Sequence, residues 1–282
     1  MGKSSWTSQL EHSSYQVCRG GRPLIPINEI HASLTGVMIE TRYQPIVRMA
    51  DRKPVAVEVL ARMNHPARGT LLPHLFVPQM EDAGLAPELT EAVTRRAFAD
   101  LTVPSLAPHG LDIALNFPLD VLLVPQAMVL LDAQRLIAGI EAAQIIIELT
   151  ESRPVEDVAG LGRAIERLRG AGYGVVIDDI QPTVPRLQAL LELPFTGVKL
   201  DKDLVQLLAD DTELHDFTRQ TVDTARSRGL SVTAEGVEDP AAWRLLVDLG
   251  VDMAQGFLIA RPLLAVAVPV WLRRWSKRRQ FG

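Results

Sequence analysis

The chain has one cysteine, six histidines and only 5% aromatic residues in 282 positions. A single thiol, Cys18, can close no internal disulfide, so a reducing, cytoplasmic setting is the default and a disulfide-stapled scaffold is excluded. The histidines, at positions 12, 31, 65, 74, 109 and 215, never fall into a zinc spacing such as H-E-x-x-H. No apolar run is long enough to cross a bilayer. The strongest late candidate, "LLAVAVPVWL", spans about ten residues and is broken by Pro269, well short of the roughly 20 a spanning helix needs. The first twenty residues have no apolar core of the signal-peptide kind. With a net charge of −5 there is no basic excess to coat a nucleic-acid polymer, although a small anionic ligand needs only local positive charge.

What the chain does have is apolar content, 47% against 22% charged, enough for a large core. Residues 1–34 are polar and punctuated by Gly and Pro, and read as an N-terminal extension with a short helix at "INEIHASL". From Met38 onward apolar runs alternate with amphipathic stretches. The runs are "VAVEVL", "DIALNF", "IIIELT", "GVVIDD", "GVKLD", "LSVTAE" and "VDMAQG". The stretches between them include "VAGLGRAIERLRGAG" and "ELHDFTRQTVDTARSRG", with apolar residues at helical spacing and Gly172, Gly229 and Gly250 placed as C-terminal stops. Near-continuous apolar strands alternating with helices imply a parallel sheet covered on both faces. About eight such units in this length favour a TIM-type (β/α)8 barrel over residues 35–272, followed by a basic tail at 273–282.

In such a barrel the working face lies at the C-terminal ends of the strands. There the runs end in polar residues: Glu58, Asn116, Glu148, the pair Asp178–Asp179, Lys199, Glu235 and Gln255. Taken singly, each is ordinary as a helix cap or surface ion pair. Together they place several carboxylates beside one lysine. Two unit charges about 4 Å apart repel by about 4 kcal/mol at an effective dielectric near 20, so such a ring calls for cations. Oxygen donors without Cys or His suit Mg²⁺, Mn²⁺ or Ca²⁺ rather than zinc. Two such ions, bridged by Asp178, would activate water for in-line displacement at phosphorus, with Lys199 orienting that water and Arg62 clamping a phosphate.

The stretches "YQPIV", "EVLARMNHP", "PHLFVPQMEDAGL", "IELTES", "VVIDD", "VKLDKDLV", "TAEGVED" and "QGF", from about Thr35 to Pro262, resemble the EAL domain family of bacterial cyclic di-GMP phosphodiesterases. The signature reads Glu58-Val59-Leu60, with Val at the middle position. The resemblance implies a modified TIM barrel with one antiparallel strand, a two-metal site of Mg²⁺ or Mn²⁺ inhibited by Ca²⁺, hydrolysis of cyclic di-GMP to linear pGpG, and a homodimer formed near the loop after the Asp pair. It also implies that Glu58, Asn116, Glu148, Asp178, Asp179 and Glu235 hold or support metal, with Lys199, Glu235 and Glu58 catalytic. Gln44, Leu60, Arg62, Asp201 and Gln255 would face substrate, and Glu151 would anchor the loop that follows the Asp pair.

That loop departs from the family pattern. Where the family has Phe-Gly-Thr-Gly-Tyr-Ser-Ser, this chain has Ile180-Gln181-Pro182-Thr183-Val184-Pro185-Arg186. Both glycines are lost and two prolines, which fix φ and remove a donor, are gained. The alternative reading is therefore a cyclic di-GMP receptor or interaction domain with weak or no turnover. Other features read as structural. "GAGYG" at Gly170–Gly174 precedes a strand rather than following one, the reverse of a dinucleotide loop. His215–Asp216 lies mid-helix, His65 occupies a structural position, and "RRWSKRRQ" is the solvated end of a last helix.

Overall fold

A computed structural model describes residues 25–35, 38–102, 110–150 and 157–279. Its strands are β1 (Ile39–Arg48), β2 (Pro54–His65), β3 (Gly69–Leu71), β4 (Asp112–Pro118), β5 (Ile145–Thr150), β6 (Gly174–Ile180), β7 (Gly197–Leu200), β8 (Ser231–Ala234) and β9 (Met253–Ala254). The helices are α1 (Ile27–Thr35), α2 (Pro73–Asp82), α3 (Ala86–Leu101), α4 (Leu119–Leu122), α5 (Pro125–Ala138), α6 (Val158–Gly170), α7 (Leu187–Leu191), α8 (Lys202–Leu207), α9 (Thr212–Ser227), α10 (Pro240–Asp248) and α11 (Val268–Arg279).

The strands run in the order β1-β9-β8-β7-β6-β5-β4-β2-β3, and a further β1–β2 pairing closes eight of them into a barrel. Strand β1 is antiparallel to both neighbours, β2 and β9, while β2 and β4 through β9 are parallel. The expected barrel with one antiparallel member is therefore present. Strand β3 adds a short hairpin on the far end of β2, pairing Met63 with Leu71.

Strand alternation sorts the residues into an inner and an outer set. The outer set, including Val57, Val59, Ile113, Leu115, Ile145, Ile147, Val175, Ile177, Val198 and Val232, packs in one buried cluster with helix residues such as Leu161, Ile165, Leu168, Val222 and Leu246. The inner set changes character along the barrel axis. Ile46, Ala56, Ala114, Ile146 and Met253 form a separate apolar floor. Two residues further toward the mouth on the same strands stand Gln44, Glu58, Asn116, Glu148 and Gln255. The period of two that buries an aliphatic layer thus delivers a polar layer directly above it.

Helix ends are set by the residues the sequence supplies. Gly172, Gly229 and Gly250 take positive φ (99°, 71° and 80°) just past α6, α9 and α10. After each, a buried residue donates back into the helix: Tyr173 to Leu168, Leu230 to Ala225 and Val251 to Leu246. Each connection so returns the chain directly into the next strand. At the other end of the fold, His65 ties α1 to β2. Its Nδ1 accepts from the Ala67 amide at 3.1 Å, so Nε2 carries the proton and donates to Glu29 at 2.6 Å. Ile25 and Ile30 pack with Phe76 and Met80 in a second apolar cluster on this side. The buried Tyr43 hydroxyl donates to Asp100 at 2.9 Å, fastening α3 to the antiparallel strand.

Gly256 follows directly on the polar residue Gln255, and a Cβ there would overlap the backbone of Val237. Since Val237 N–H donates to the Gln255 carbonyl at 3.0 Å, the two segments cannot separate without moving Gln255. Gly256→Ala is expected to lower stability by about 2–3 kcal/mol, read as a fall in Tm on thermal unfolding followed by circular dichroism. An unchanged Tm would show that the close approach carries no structural weight.

Candidate active site

The centre of the barrel mouth is the ammonium of Lys199, on β7, whose side chain is 1% exposed. Its Nζ lies 2.5 Å from Glu235 Oε1, 3.1 Å from Glu148 Oε1, 3.4 Å from Asp178 Oδ1 and 3.7 Å from Glu58 Oε2. These carboxylates come from the end of β8, from β5, from β6 and from β2, so four separate strands converge on one cation. A buried ammonium costs several kcal/mol of desolvation unless it is compensated. Here the compensation overshoots, because four carboxylates against one ammonium leave a formal −3 if all are ionised.

Burial sets the protonation of these acids first, and their mutual repulsion adds to it. Burial, followed in rank by the opposing pull of Lys199, leaves Glu148 well above the usual carboxylate range, with the charges of Glu58, Asp178 and Glu235 adding to the rise. Burial likewise lifts Asp178, and it lifts Glu235 to about 8. Lys199 is held well above the ordinary lysine value; burial opposes this, but the surrounding carboxylates outweigh it. The lysine therefore stays charged, and its neighbours must share protons or bind cations.

Amide side chains complete the layer. Asn116 Nδ2 donates to Glu58 Oε1 at 2.9 Å, and Gln255 Nε2 donates to Glu58 Oε2 at 2.5 Å. Gln255 Nε2 also reaches Gln44 Oε1 at 3.1 Å, and Gln44 Nε2 donates to the Ala260 carbonyl at 3.1 Å. Both oxygens of Glu58 are thus fixed in direction. Three buried polar atoms have no well-aligned hydrogen bond: the oxygens Glu148 Oε2 and Gln255 Oε1, and Lys199 Nζ, whose close contacts with the carboxylates are ion pairs. An orphaned buried acceptor is costly, and these two oxygens are available to bind a cation or to accept from a ligand. Asp178, Asp179 and Glu235 can each bring one oxygen within 4.8 Å of the others, the group of acids among the described residues best placed to hold a metal.

Adjacent residues on a regular strand point to opposite faces, so Asp178 and Asp179 should not serve one site. The structure resolves this with a bulge. Ile177 pairs with Val198 and Ile180 with Leu200, three steps on β6 against two on β7. Asp179 absorbs the extra residue at φ 57°, a left-handed conformation that Asp tolerates better than most residues. Its amide donates to Asp178 Oδ1 at 2.9 Å, and its carboxyl stays at the exposed rim. Partial burial, then Asp178 and Asp201, raise it to about 6. Beyond it, Val184 N–H closes a turn on the Gln181 carbonyl at 3.1 Å, and Arg186 enters α7 at φ 56°.

Of the residues read from the sequence, Glu58, Asn116, Glu148, Asp178, Asp179, Lys199, Glu235, Gln255 and Gln44 come together here. Arg62 and Leu60 stand further out on the same face of β2. Leu60 lines a cavity of about 370 Å³ together with Glu58, Asn116, His74 and Val77. Arg62 Nη1 donates to the Ala61 carbonyl at 2.7 Å, and burial followed by the nearby Arg42 lowers its pKa. Asp201 caps α8, accepting from Asp203 N–H at 2.8 Å and Leu204 N–H at 3.4 Å, so its Oδ1 is committed to the helix. Glu151 lies outside the described residues. Arg42 was not read from the sequence. It sits two residues from Gln44 on the same face of β1, and that period-two relation was the signal that could have found it. His215 and Asp216 lie 3.8 Å apart on α9, remote in sequence from every residue of this layer.

The EAL domain family model matches residues 28–262. A cyclic di-GMP phosphodiesterase of Pseudomonas aeruginosa is 31% identical over 234 residues, covering 82% of this chain and 40% of that protein. The bifunctional diguanylate cyclase/cyclic di-GMP phosphodiesterase MucR of the same organism is 30% identical over 243 residues, covering 85% of this chain and 35% of that protein. The chain therefore spans about two fifths or less of these relatives. Among solved structures, the MucR phosphodiesterase in complex with cyclic di-GMP superposes with a TM-score of 0.80 at 28% identity, over 86% of this chain and 98% of that one. The FimX EAL domain of Xanthomonas citri shares the fold, with a TM-score of 0.75 at 18% identity over 85% of this chain and 94% of that one.

Carboxyls whose folded pKa is raised bind protons that the unfolded chain has already released, so their contribution to stability is lost as pH climbs. Glu235 (about 8) and Asp179 (about 6) set the window. Chelator-treated protein is expected to lose Tm steadily from about pH 4.5, near the unfolded carboxyl values, to about pH 8. A Tm that rises or stays flat across this window would show that the acidic layer is already compensated.

Proposed function

Because this chain belongs to the EAL domain family, we propose that it hydrolyses cyclic di-GMP to linear pGpG with Mg²⁺ or Mn²⁺, in the cytoplasm, in second-messenger signalling. The observation that carries this reading is the complete acidic layer around Lys199, with two buried oxygens still lacking partners. Glu58, Asn116, Glu148, Asp178, Asp179 and Glu235 would hold the ions. The donor set fits hard divalent cations, since every candidate ligand is oxygen, and Asn116 spends its donor on Glu58 while keeping its carbonyl oxygen for another partner.

Bound there, the cations would supply Lewis acidity toward a phosphodiester and draw off the negative charge it gathers. The chain's own residues do the rest. Lys199 Nζ, held charged and immobile by four carboxylates, directs a hydrogen bond at the attacking water and offsets charge on the phosphoryl oxygens. Gln255, locked between Glu58 and Gln44, positions donors and acceptors at the same depth. Arg62, opposite Glu40 of β1, which ion-pairs Arg42 at 3.1 Å, is the cation at the edge of the mouth free to clamp a phosphate. Water adds to phosphorus, the bond to one ribose 3′ oxygen breaks, and the proton leaves with that oxygen.

One observation favours a second reading, a receptor that binds without cleaving. The chain leaves Asp179 through Pro182 and Pro185 and enters α7 at a left-handed arginine, a stiffer course than a glycine-bearing loop allows.

The two readings separate in one assay. Purified protein incubated with cyclic di-GMP and Mn²⁺ is expected to yield pGpG on chromatography, and Ca²⁺ in place of Mn²⁺ to yield none. Glu58→Ala and Lys199→Ala are each expected to cut the rate by about 100-fold or more while circular dichroism stays native. Arg62→Ala is expected to act mainly on KM. A Glu58→Ala protein at wild-type rate would overturn the roles assigned. No product from wild type, with heat released on titration of cyclic di-GMP, would establish the receptor.

A further inference from the structure

The end of the barrel opposite the acidic mouth carries the reverse charge. A groove of about 610 Å³ is lined there by Lys53 of the β1–β2 turn and by Val270, Arg273, Arg274 and Lys277 of α11. Pro54, which opens β2, and Leu111, which immediately precedes β4, also line it, so it lies at the strand N-terminal ends, on the floor side. On α11 the four lining residues stand at i, i+3, i+4 and i+7, within an arc of about 100°, and all four are exposed. The helix contains no acidic residue. Lys53, Arg273, Arg274 and Lys277 have no ion-pair partner among the described residues. Asp51, close by in the turn, is engaged by Arg48 at 3.3 Å and by the Lys53 amide at 3.0 Å. Four uncompensated cations therefore share one groove in a chain whose net charge is −5.

The cations are mounted on a fixed frame. Trp275 Nε1 donates to the Arg52 carbonyl at 2.7 Å and Trp271 Nε1 to the Ile259 carbonyl at 3.3 Å, and the two indoles stack with centroids 5.4 Å apart. Val268 and Leu272 are buried beneath them. These contacts hold α11 against the β1–β2 turn and commit both indole donors to the barrel. The stretch "RRWSKRRQ" is thus more than a solvated helix end: its inner side fastens to the barrel and its outer side presents charge.

We propose that this basic end docks on a bilayer surface bearing anionic phospholipids, with α11 lying along the interface and the barrel mouth facing water. Three observations select that partner. First, the cations lack counter-ions of their own, and a plane of lipid phosphates supplies them. Second, aliphatics are mixed with the charge: Val270 stands within the cationic stripe, and Leu264 and Val266, 51% and 77% exposed, lie just ahead of the helix. A bilayer surface offers phosphate and acyl chain together. A nucleic-acid backbone offers only the first, and base stacking would need a free aromatic, whereas Trp271 and Trp275 are spent on each other and on backbone carbonyls. Third, the acidic mouth lies at the other end of the barrel, so an anionic surface attracts one end and repels the other, which orients the chain. Each basic residue held at an anionic surface raises partitioning roughly five-fold, so four together give on the order of 500-fold, a reversible anchor. This docking is independent of the reaction proposed for the mouth.

The test is co-sedimentation of the whole chain with lipid vesicles. Vesicles of phosphatidylcholine with about 30% phosphatidylglycerol, at about 50 mM salt, are expected to bind it, and phosphatidylcholine alone is expected not to; raising salt to about 300 mM is expected to weaken binding about ten-fold. Arg273→Glu with Lys277→Glu reverses two charges and is expected to cut partitioning by about 100-fold or more. Val270→Ser is expected to cut it by about five-fold, the share of one aliphatic contact. Arg167→Glu with Arg219→Glu makes the same change of charge on the exposed sides of α6 and α9, and is expected to bind as the wild type does. All the substituted positions are exposed or at the surface of the groove, so circular dichroism is expected to stay native. A wild type that fails to sediment with the anionic vesicles overturns the proposal. So does an equal loss in both double variants, which would make net charge alone the cause. A chain that ignores the vesicles but retards a DNA duplex overturns it in favour of a nucleic-acid groove.

Discussion

The structure depends on one cation being surrounded. Lys199 is fully enclosed at the mouth of the barrel, and its ammonium survives there because β2, β5, β6 and β8 each bring a carboxylate to it. Neither partner is tolerable alone. The ammonium without the acids would be an unpaid desolvation, and the acids without the ammonium would repel at close range. The two together fix the radius of the barrel at its upper end, as the apolar floor of Ile46, Ala56, Ala114, Ile146 and Met253 fixes it below. The mouth is still short of positive charge, and this deficit leaves the layer able to take up cations or protons, as a balanced buried salt bridge would not.

The Asp178–Asp179 bulge depends on the same constraint. Strict alternation would spend one of the two aspartates on the helix side of β6, where a carboxylate has no partner. One extra residue in a left-handed conformation turns the second carboxyl to the rim and keeps Ile180 buried in the outer core. The cost is local strain of about 1–3 kcal/mol, of the kind that persists only where surrounding structure holds it. The loop that follows has to leave from this strained position. Its prolines act on the path of the chain after the site and leave the position of every side chain around Lys199 to the barrel strands.

Much of this was legible in the sequence because strands buried on both faces announce themselves as apolar runs, and a polar residue ending such a run has few places to point. Glu58, Asn116, Glu148, Asp178, Lys199, Glu235 and Gln255 were found this way. The antiparallel strand was legible only through "YQPIV" and its family likeness, since one strand reversed in the barrel leaves no trace in periodicity. Asp201 carries two tasks that its position alone did not reveal: its Oδ1 caps α8, and its charge adds to the rise of Asp179. Arg42 was missed because it precedes Gln44 on the one strand that runs from mouth to floor, where the rule of looking at strand C-termini points the wrong way.

Helix α5 escaped sequence reading for a physical reason. A helix is recognised by contrast between an apolar and a polar side, and "PQAMVLLDAQRLIA" has little contrast, with aliphatics facing both inward and outward. Tertiary structure accounts for the inward set alone: Leu131 packs against the barrel, and the outward set has no partner among the described residues. In a chain whose other long helices, α6 and α9, expose charge and bury their aliphatics, an outer face free of unpaired charge is a departure from the rule that shapes the rest of the surface. A surface that keeps aliphatics out of the core bears an aggregation risk unless something covers it.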